Sequence, residues 1–335
     1  MGRNYTGARK GDRLADDALA DDALDWEDAF AAPLAASVPV ELGGLRLDQA
    51  LARMFPQYSR NRLQAWLRSG HILVDGKRAE GSAKAAGGES VALSPPPAAD
   101  PAQPAAQAMA LDIVFEDADL IVINKPAGLV VHPGAGNPDR TLLNALLAHA
   151  PELRKVPRAG IVHRLDKDTT GLLVVAKNVT AQARLAEQLA SRSVRRLYLA
   201  LAQGDPPARG SIDAPVARDR NVRTRMAVAR GGKQALTHYR VLERFGSAAL
   251  LECRLETGRT HQIRVHMQHI RHPLVGDTVY RRGTRHGLAF PRQALHAAEL
   301  HLVHPRSGKP MRWRAELPAD MAGLIARLRR EAGDA

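Results

Sequence analysis

The sequence predicts an α+β protein in two parts. A small N-terminal unit of two helices and a hairpin precedes a larger domain built on a mixed, mainly antiparallel β-sheet flanked by helices. Three observations predict it. SPPPAADPAQPAAQA, from Ser94 to Ala108, is a Pro/Ala stretch that reads as a semi-extended spacer without a core of its own. Ahead of it, apolar residues recur at helical spacing; behind it, short β-patterned runs alternate with a few helices.

In chain order, residues 1–38 are Ala- and Asp-rich, with the duplication ADDALADDAL, and read as a disordered acidic tail. Residues 39–93 form the small domain. There Asp48 is expected to cap a helix carrying Leu51 and Met54. Ser59 is expected to cap a second helix, SRNRLQAWLRSG, with Leu63, Trp66 and Leu67 on one side and Arg60, Arg62 and Arg68 on the others. Gly70 suits the helix end, and HILVDGK reads as a strand entering an Asp75-Gly76 hairpin. That basic helix beside a hairpin suits an RNA backbone, or is simply a solvated face.

Residues 94–110 are the linker, 111–325 the large domain and 326–335 a C-terminal tail. In the large domain LDIVFEDADLIVINK reads as a hairpin, GLLVVAK as a strand, and TAQARLAEQLAS as an amphipathic helix capped by Thr180. RLYLALA, LTHYRVLERF and AALLECRLE are further strands. No Gly-rich phosphate loop is visible, which excludes a phosphoryl transferase of that type.

Charge narrows the partner. Of 335 residues, 48 are Lys or Arg and 35 Asp or Glu, a formal net charge of +13 that favours a polyanion, nucleic acid first. Aromatics are only 4%, so few rings are on hand to stack on bases. The lone cysteine, Cys253, reads as a small buried hydrophobe and allows no intrachain disulfide, which suits a reducing, cytoplasmic setting. No segment has the length and apolarity of a membrane span. The N-terminus lacks the apolar core of a signal peptide, and its M-G-x-x-x-T pattern stands alone.

Two stretches concentrate chemistry. In HRLDKDTTG, Thr169-Thr170-Gly171 reads as a turn into a buried strand, which sets the preceding charges on a loop at the edge of a rigid sheet. Asp166 lies between Arg164 and Lys167, cations that keep a carboxylate ionised and fit it for work as nucleophile or base. The same residues also suit a purely structural turn in which Asp166 and Asp168 bond backbone amides. A kinase catalytic loop is excluded, since leucine separates Arg164 from Asp166 and no D-F-G follows. In ETGRTHQIRVHMQHIRHPLVGD, Thr260 is expected to cap a short helix with Ile263 and Met267 inward, and Arg264 can reach a carboxylate as a fork. His261, His266, His269 and His272 lack the spacing of a zinc site and read as solvated or phosphate-contacting; no metal is expected.

HRLDKDTTGLLVVAKN, RLYLAL, GRTHQIRVHMQHIRHPLVGD and KPAGLVVHPG together resemble the RluA-type family of RNA pseudouridine synthases, over about residues 111–317. Residues 45–93 resemble the S4 RNA-binding domain that precedes the catalytic domain in several members. VVHPGAGNPDRTLLNALL and RQALHAAELHLVHP are most similar to the branch acting on the helix 69 stem-loop of 23S ribosomal RNA. The resemblance implies a mixed sheet with helices and an RNA-binding cleft, and uridine isomerisation without cofactor. It makes Asp166 the catalytic aspartate, Tyr198 the tyrosine that contacts the target base and is a candidate for handling the C5 proton, and Arg264 the partner of the aspartate. Arg164, Lys167, Arg259 and His261, with Arg60, Arg62 and Arg68, become the expected RNA contacts. Expected partners are 23S rRNA or a pre-50S particle, bound by a monomer in support of ribosome assembly. The alternatives are other rRNA or tRNA uridines, or a non-catalytic RNA-binding assembly factor.

Overall fold

The computed structural model describes residues 34–333 apart from 56, 57, 59, 95–103, 135, 221, 223, 224 and 281–287. Most of the expected acidic tail and linker, the Ser59 cap and the Arg62 side chain lie outside the described residues. Those described fall into two compact units, 34–94 and 104–333.

The first unit runs β1 (Leu34–Ser37), α1 (Leu47–Met54), α2 (Arg60–Ser69), β2 (Ile72–Val74) and β3 (Ser90–Leu93). The strands form an antiparallel sheet in the order β1-β3-β2. Strand β1 begins inside the segment read as tail, because Ala36 pairs with Val91 and supplies the sheet with an edge. Leu47, Leu51, Leu63, Trp66, Leu67, Ile72, Val91 and Leu93 close one core, with Tyr58 edge-on to Trp66 at 4.8 Å. Gly70, at φ +80°, ends α2. Asp75 and Gly76 both take positive φ in a tight turn, but only Lys77 returns alongside β2, whose strand partner is β3.

Asp48 does not cap α1. Arg46 holds that position without a side-chain bond, and Asp48 is buried in the first turn. Its carboxylate accepts from Arg46 (3.3 Å), Arg60 (2.8 Å) and Gln64. Burial alone would raise its pKa; the three donors outweigh it and hold the group at about 2. A depressed carboxyl stabilises the fold above its unfolded pKa, and that contribution is lost as pH falls from about 4 towards 2. Asp48→Asn should therefore cost the first unit on the order of 1–2 kcal/mol at pH 7 and leave its stability flatter across that window. Urea titrations at the two pH values, read at the Trp66 indole resonance, check this; parallel acid profiles for both proteins would refute it.

The second unit opens on an extended segment tied to the helix that follows. Asn144 Nδ2 donates to Ala105 O, and the Gln107 amide to Asn144 O, so the last third of the expected linker is docked. Then come β4 (Ile113–Glu116), β5 (Leu120–Lys125), α3 (Leu142–His149), β6 (Thr170–Ala176), α4 (Val179–Ala190) and β7 (Arg195–Gln203). They are followed by β8 (Arg209–Asp213), β9 (Val216–Arg218), β10 (Met226–Val228), β11 (Leu236–Arg244), β12 (Ala248–Leu255), α5 (Gln262–His269), β13 (Leu295–Val303), β14 (Pro310–Arg314) and α6 (Ala319–Gly333).

Nine strands form one sheet, β4-β5-β6-β13-β7-β12-β11-β8, with β14 also on β13; β9 and β10 make a separate ribbon. The β6–β13 pairing is parallel, and the other described pairings are antiparallel. Alternation along the strands splits the core. Ala200, Ala202, Leu251 and Cys253 face one layer with Leu142, Leu146, Ile263 and Met267, whereas Leu201 and Leu250 face Met321, Leu324, Ile325 and Leu328 of α6. That apolar stripe carries the chain in helix as far as Gly333, where a tail was expected from residue 326. Asn178, not Thr180, caps α4 by accepting from Ala181 N (2.9 Å).

Candidate active site

The loop His163–Thr169 enters β6, whose seven residues are all buried. His163 anchors its start: the ring is buried and Nε2 accepts from Val174 N at 3.0 Å. Beyond it three consecutive carbonyls have three different donors. Thr169 N donates to Asp166 O (3.0 Å), Lys125 Nζ to Lys167 O (2.8 Å), and Arg292 Nη1 to Asp168 O (3.0 Å). Gly171 follows at φ +109°, where a Cβ would lie 2.2 Å from Ala297 O, so the loop needs glycine to enter its parallel pairing.

Lys125 is wholly buried at the end of β5 and also donates to Pro126 O and Leu129 O. Burial pulls its pKa down to about 7, against the pull of the Asp168 and Asp166 carboxylates. Three carbonyl acceptors use all three protons of an ammonium.

The Asp166 side chain is 14% exposed and meets Arg264 of α5, whose Nη1 donates to Oδ2 at 3.0 Å. Arg264 is itself gripped from the other side. Its Nε and Nη2 form a fork on Asp277 at 2.7 and 3.1 Å, and Asp277 Oδ1 also accepts from Val279 N and Tyr280 N. Asp277 has no exposed surface. The fork predicted for Arg264 thus lies on Asp277, and a single nitrogen reaches Asp166.

Burial would raise the Asp166 pKa, but neighbouring charge at His261, Arg264 and Arg164 holds it at about 2. Burial also lowers His261 to about 4, so at neutral pH its ring is uncharged and the two guanidiniums do the holding. His261, expected as an RNA contact, is buried, with Nδ1 2.7 Å from the Tyr280 hydroxyl. That hydroxyl also accepts from Met226 N (2.9 Å), while Arg264 lies over the Tyr280 ring at 5.1 Å. His261 takes φ +56° at the start of α5, in the place expected for a Thr260 cap. His266 is also interior, bonded to Thr237 Oγ1 and Ala214 O, and His272 meets Gln203 O.

Tyr198 is buried on β7, opposite Cys253 on one side and Ala297 on the other; Ala297 in turn faces Gly171. One cross-strand row therefore links the tyrosine to the loop's exit. Burial raises the Tyr198 pKa, so its hydroxyl keeps its proton at neutral pH. Arg164 and Lys167 are half-buried beside Asp166. Arg259 donates through Nε to Gln234 O (3.0 Å), which fixes the turn before α5. In the first unit, Arg60 and Arg68 are exposed.

Sequence reading missed Asp277, Tyr280, Lys125 and Arg292. The first two stood within or just beyond the quoted HQIR stretch, but nothing local marks an aspartate as the far side of an arginine. Among the described residues one group has metal-ligand geometry, Asp117, Asp119 and His304. His304 Nε2 bonds Asp117 Oδ2 and Arg306 pairs with Asp119, which ties the β4–β5 turn to the β13–β14 turn.

The pattern described as RNA pseudouridylate synthase matches residues 119–269, and that of the S4 domain matches residues 45–91. A protein of Nitrosomonas europaea named ribosomal large subunit pseudouridine synthase D is 55% identical over 299 residues, covering 88% of this chain and 87% of that one. Its namesake in Escherichia coli strain K12 is 53% identical over 308 residues, covering 88% and 94%. Among solved structures, human RNA pseudouridylate synthase domain containing 4 superposes with TM-score 0.53 at 28% identity, over 65% of this chain and 92% of that one.

Proposed function

The chain belongs to the RNA pseudouridylate synthase family, with an S4 domain ahead of its catalytic domain, and on that premise we propose that it acts on uridines of large-subunit ribosomal RNA through Asp166. The substrate follows the names of the relatives that match nearly the whole chain. The helix 69 stem-loop, in free 23S RNA or a pre-50S particle, is the target we assign. A loop target suits the chemistry, because a uridine must leave its stack to expose C1′ and C5, at a cost of a few kcal/mol that is least outside a duplex.

In the reaction the N1–C1′ bond breaks, the uracil turns, C5 bonds to C1′, the C5 proton leaves and N1 takes up a proton. Atoms and electrons balance within the nucleotide, so neither redox partner nor energy source is required. The observation that carries the assignment is an ionised carboxylate, 14% exposed, held by an arginine whose other edge is locked to a buried aspartate. Asp166 either attacks C1′ or removes a sugar proton to give a glycal; both routes need the anion. Tyr198, a neutral phenol, is assigned to contact the base, and Arg164 and Lys167 to the opened strand.

The direct test is tritium release from RNA labelled at uridine C5, mixed with the protein alone. Release should be stoichiometric with the modified uridine in a large-subunit stem-loop. Absence of release from that RNA, with release from tRNA, would move the substrate elsewhere.

The first unit should contribute affinity through phosphates. Removing residues 1–103 should leave isomerisation intact, weaken binding to the stem-loop and flatten its salt dependence by about 0.7 in log–log slope per lost contact. Arg60, held by Asp48 at the surface, and Arg68 are the first candidates. A salt series on full-length and shortened proteins decides it: equal affinity and slope would mean this unit does not touch the RNA used.

A further inference from the structure

Arg264 is not the one forked arginine that reaches the Asp166 loop. Arg292, just ahead of β13, has a side chain 5% exposed and repeats the pattern with different parts. Its Nε and Nη2 form a fork on Asp320 at 2.8 and 2.9 Å, and its Nη1 donates to Asp168 O at 3.0 Å and Gln293 O at 3.1 Å. The next side chain joins in, with Gln293 Nε2 3.3 Å from Thr169 Oγ1. Asp320 belongs to the first turn of α6, where its Oδ1 also accepts from Met321 N at 2.7 Å. The helix is fixed to the sheet through Met321, Leu324, Ile325 and Leu328.

We propose that Arg292 and Asp320 are positioning residues for Asp166, through which the C-terminal helix sets the orientation of the catalytic loop. The inference rests on reading Asp166 as the catalytic aspartate. Its physical basis is the bonding of these two peptides. The Lys167 and Asp168 carbonyls accept from Lys125 Nζ and Arg292 Nη1, so peptide orientation two residues from the carboxylate depends on where those side chains point. A planar guanidinium anchored by two parallel bonds has no rotational freedom left, and its third nitrogen fixes a direction as well as a distance. Without the Asp320 fork, the Arg292 side chain can swing, and the Asp168 peptide with it. A displacement of about 1 Å at a reacting group is enough for a loss near 100-fold.

The test uses the full chain with Asp320→Asn, Asp320→Glu, Arg292→Lys and the double variant Asp320→Asn/Arg292→Lys, with Asp166→Asn as reference. Single-turnover rate at saturating RNA, RNA affinity and amide-exchange protection of α6 are measured on each. The expected result is a 10- to 100-fold loss of rate in Asp320→Asn, affinity within about threefold, α6 still protected and partial recovery in Asp320→Glu. The double variant should be no slower than the worse single one, since both break the same link. Wild-type rate in Asp320→Asn, or rate loss only when α6 loses protection, overturns the inference and leaves the pair as a docking contact. An active Asp166→Asn would instead overturn the reading on which the inference rests.

Discussion

Asp166→Asn should reduce single-turnover isomerisation below about 1% of wild type, a loss of at least about 3 kcal/mol in the barrier. Asparagine preserves size and still offers an oxygen to Arg264 Nη1, but it carries no anion to attack C1′ or take a sugar proton. The fold should survive, because Arg264 keeps its fork on Asp277 and the loop carbonyls keep Lys125 and Arg292. RNA affinity should change by less than about threefold, since one partly buried carboxylate contributes little beside many phosphate contacts. Tritium release at saturating RNA, with affinity measured alongside, checks both halves. Retained activity above a percent or so would sink the role given to Asp166.

Arg264→Lys should have the second-largest effect, and on two properties at once. A lysine keeps the charge but offers a point donor in place of a fork, and it cannot span Asp277 and Asp166 as the guanidinium does. Asp277 has no exposed surface, so weakening its partner carries the cost of an under-paired buried charge, on the order of 3–5 kcal/mol when the partner is lost outright. The lysine variant should fall short of that and lower the thermal midpoint by several degrees. Its rate should drop about 100-fold, through misplacement of Asp166 and loss of the short guanidinium bond to its carboxylate. Thermal unfolding and single-turnover rate separate the two effects. Unchanged chemistry together with collapsed RNA binding would make Arg264 a phosphate contact.

The strands and the loop were legible in the sequence because their signals are local. GLLVVAK is an unbroken apolar run that ends in a charge, as a strand buried on both faces should be, and HRLDKDTTG announces a turn at a strand mouth. The caps were less legible. Thr180 and Thr260 have the right chemistry, but Asn178 reaches Ala181 first and is steadied by Asp119, and His261 enters α5 through a left-handed residue. Asp48 was read as a cap because nothing local discloses Arg60 and Gln64 across the helix pair. The carboxylate–arginine–carboxylate arrangement was half visible. The Asp166–Arg264 contact came through resemblance, and Asp277 appeared only once the chain had folded back on itself. The end of α6 was legible in principle, since Met321, Leu324, Ile325 and Leu328 keep helical spacing past residue 325.

The parallel pairing of β6 with β13 has a consequence during synthesis. Thr170 faces His296, 126 residues later in the chain. At roughly 5–20 residues per second, a ribosome takes on the order of ten seconds to make that stretch. Strand β6 can zip against β5 long before, but its other edge waits, and such distant parallel pairings form slowly. Until β13 arrives, bringing Arg292 with it, the loop that carries Asp166 lacks the donor to its Asp168 carbonyl and the partner strand at its exit. A nascent chain could therefore present RNA-binding surface while still catalytically silent, and competence would come only as the last strands leave the exit tunnel.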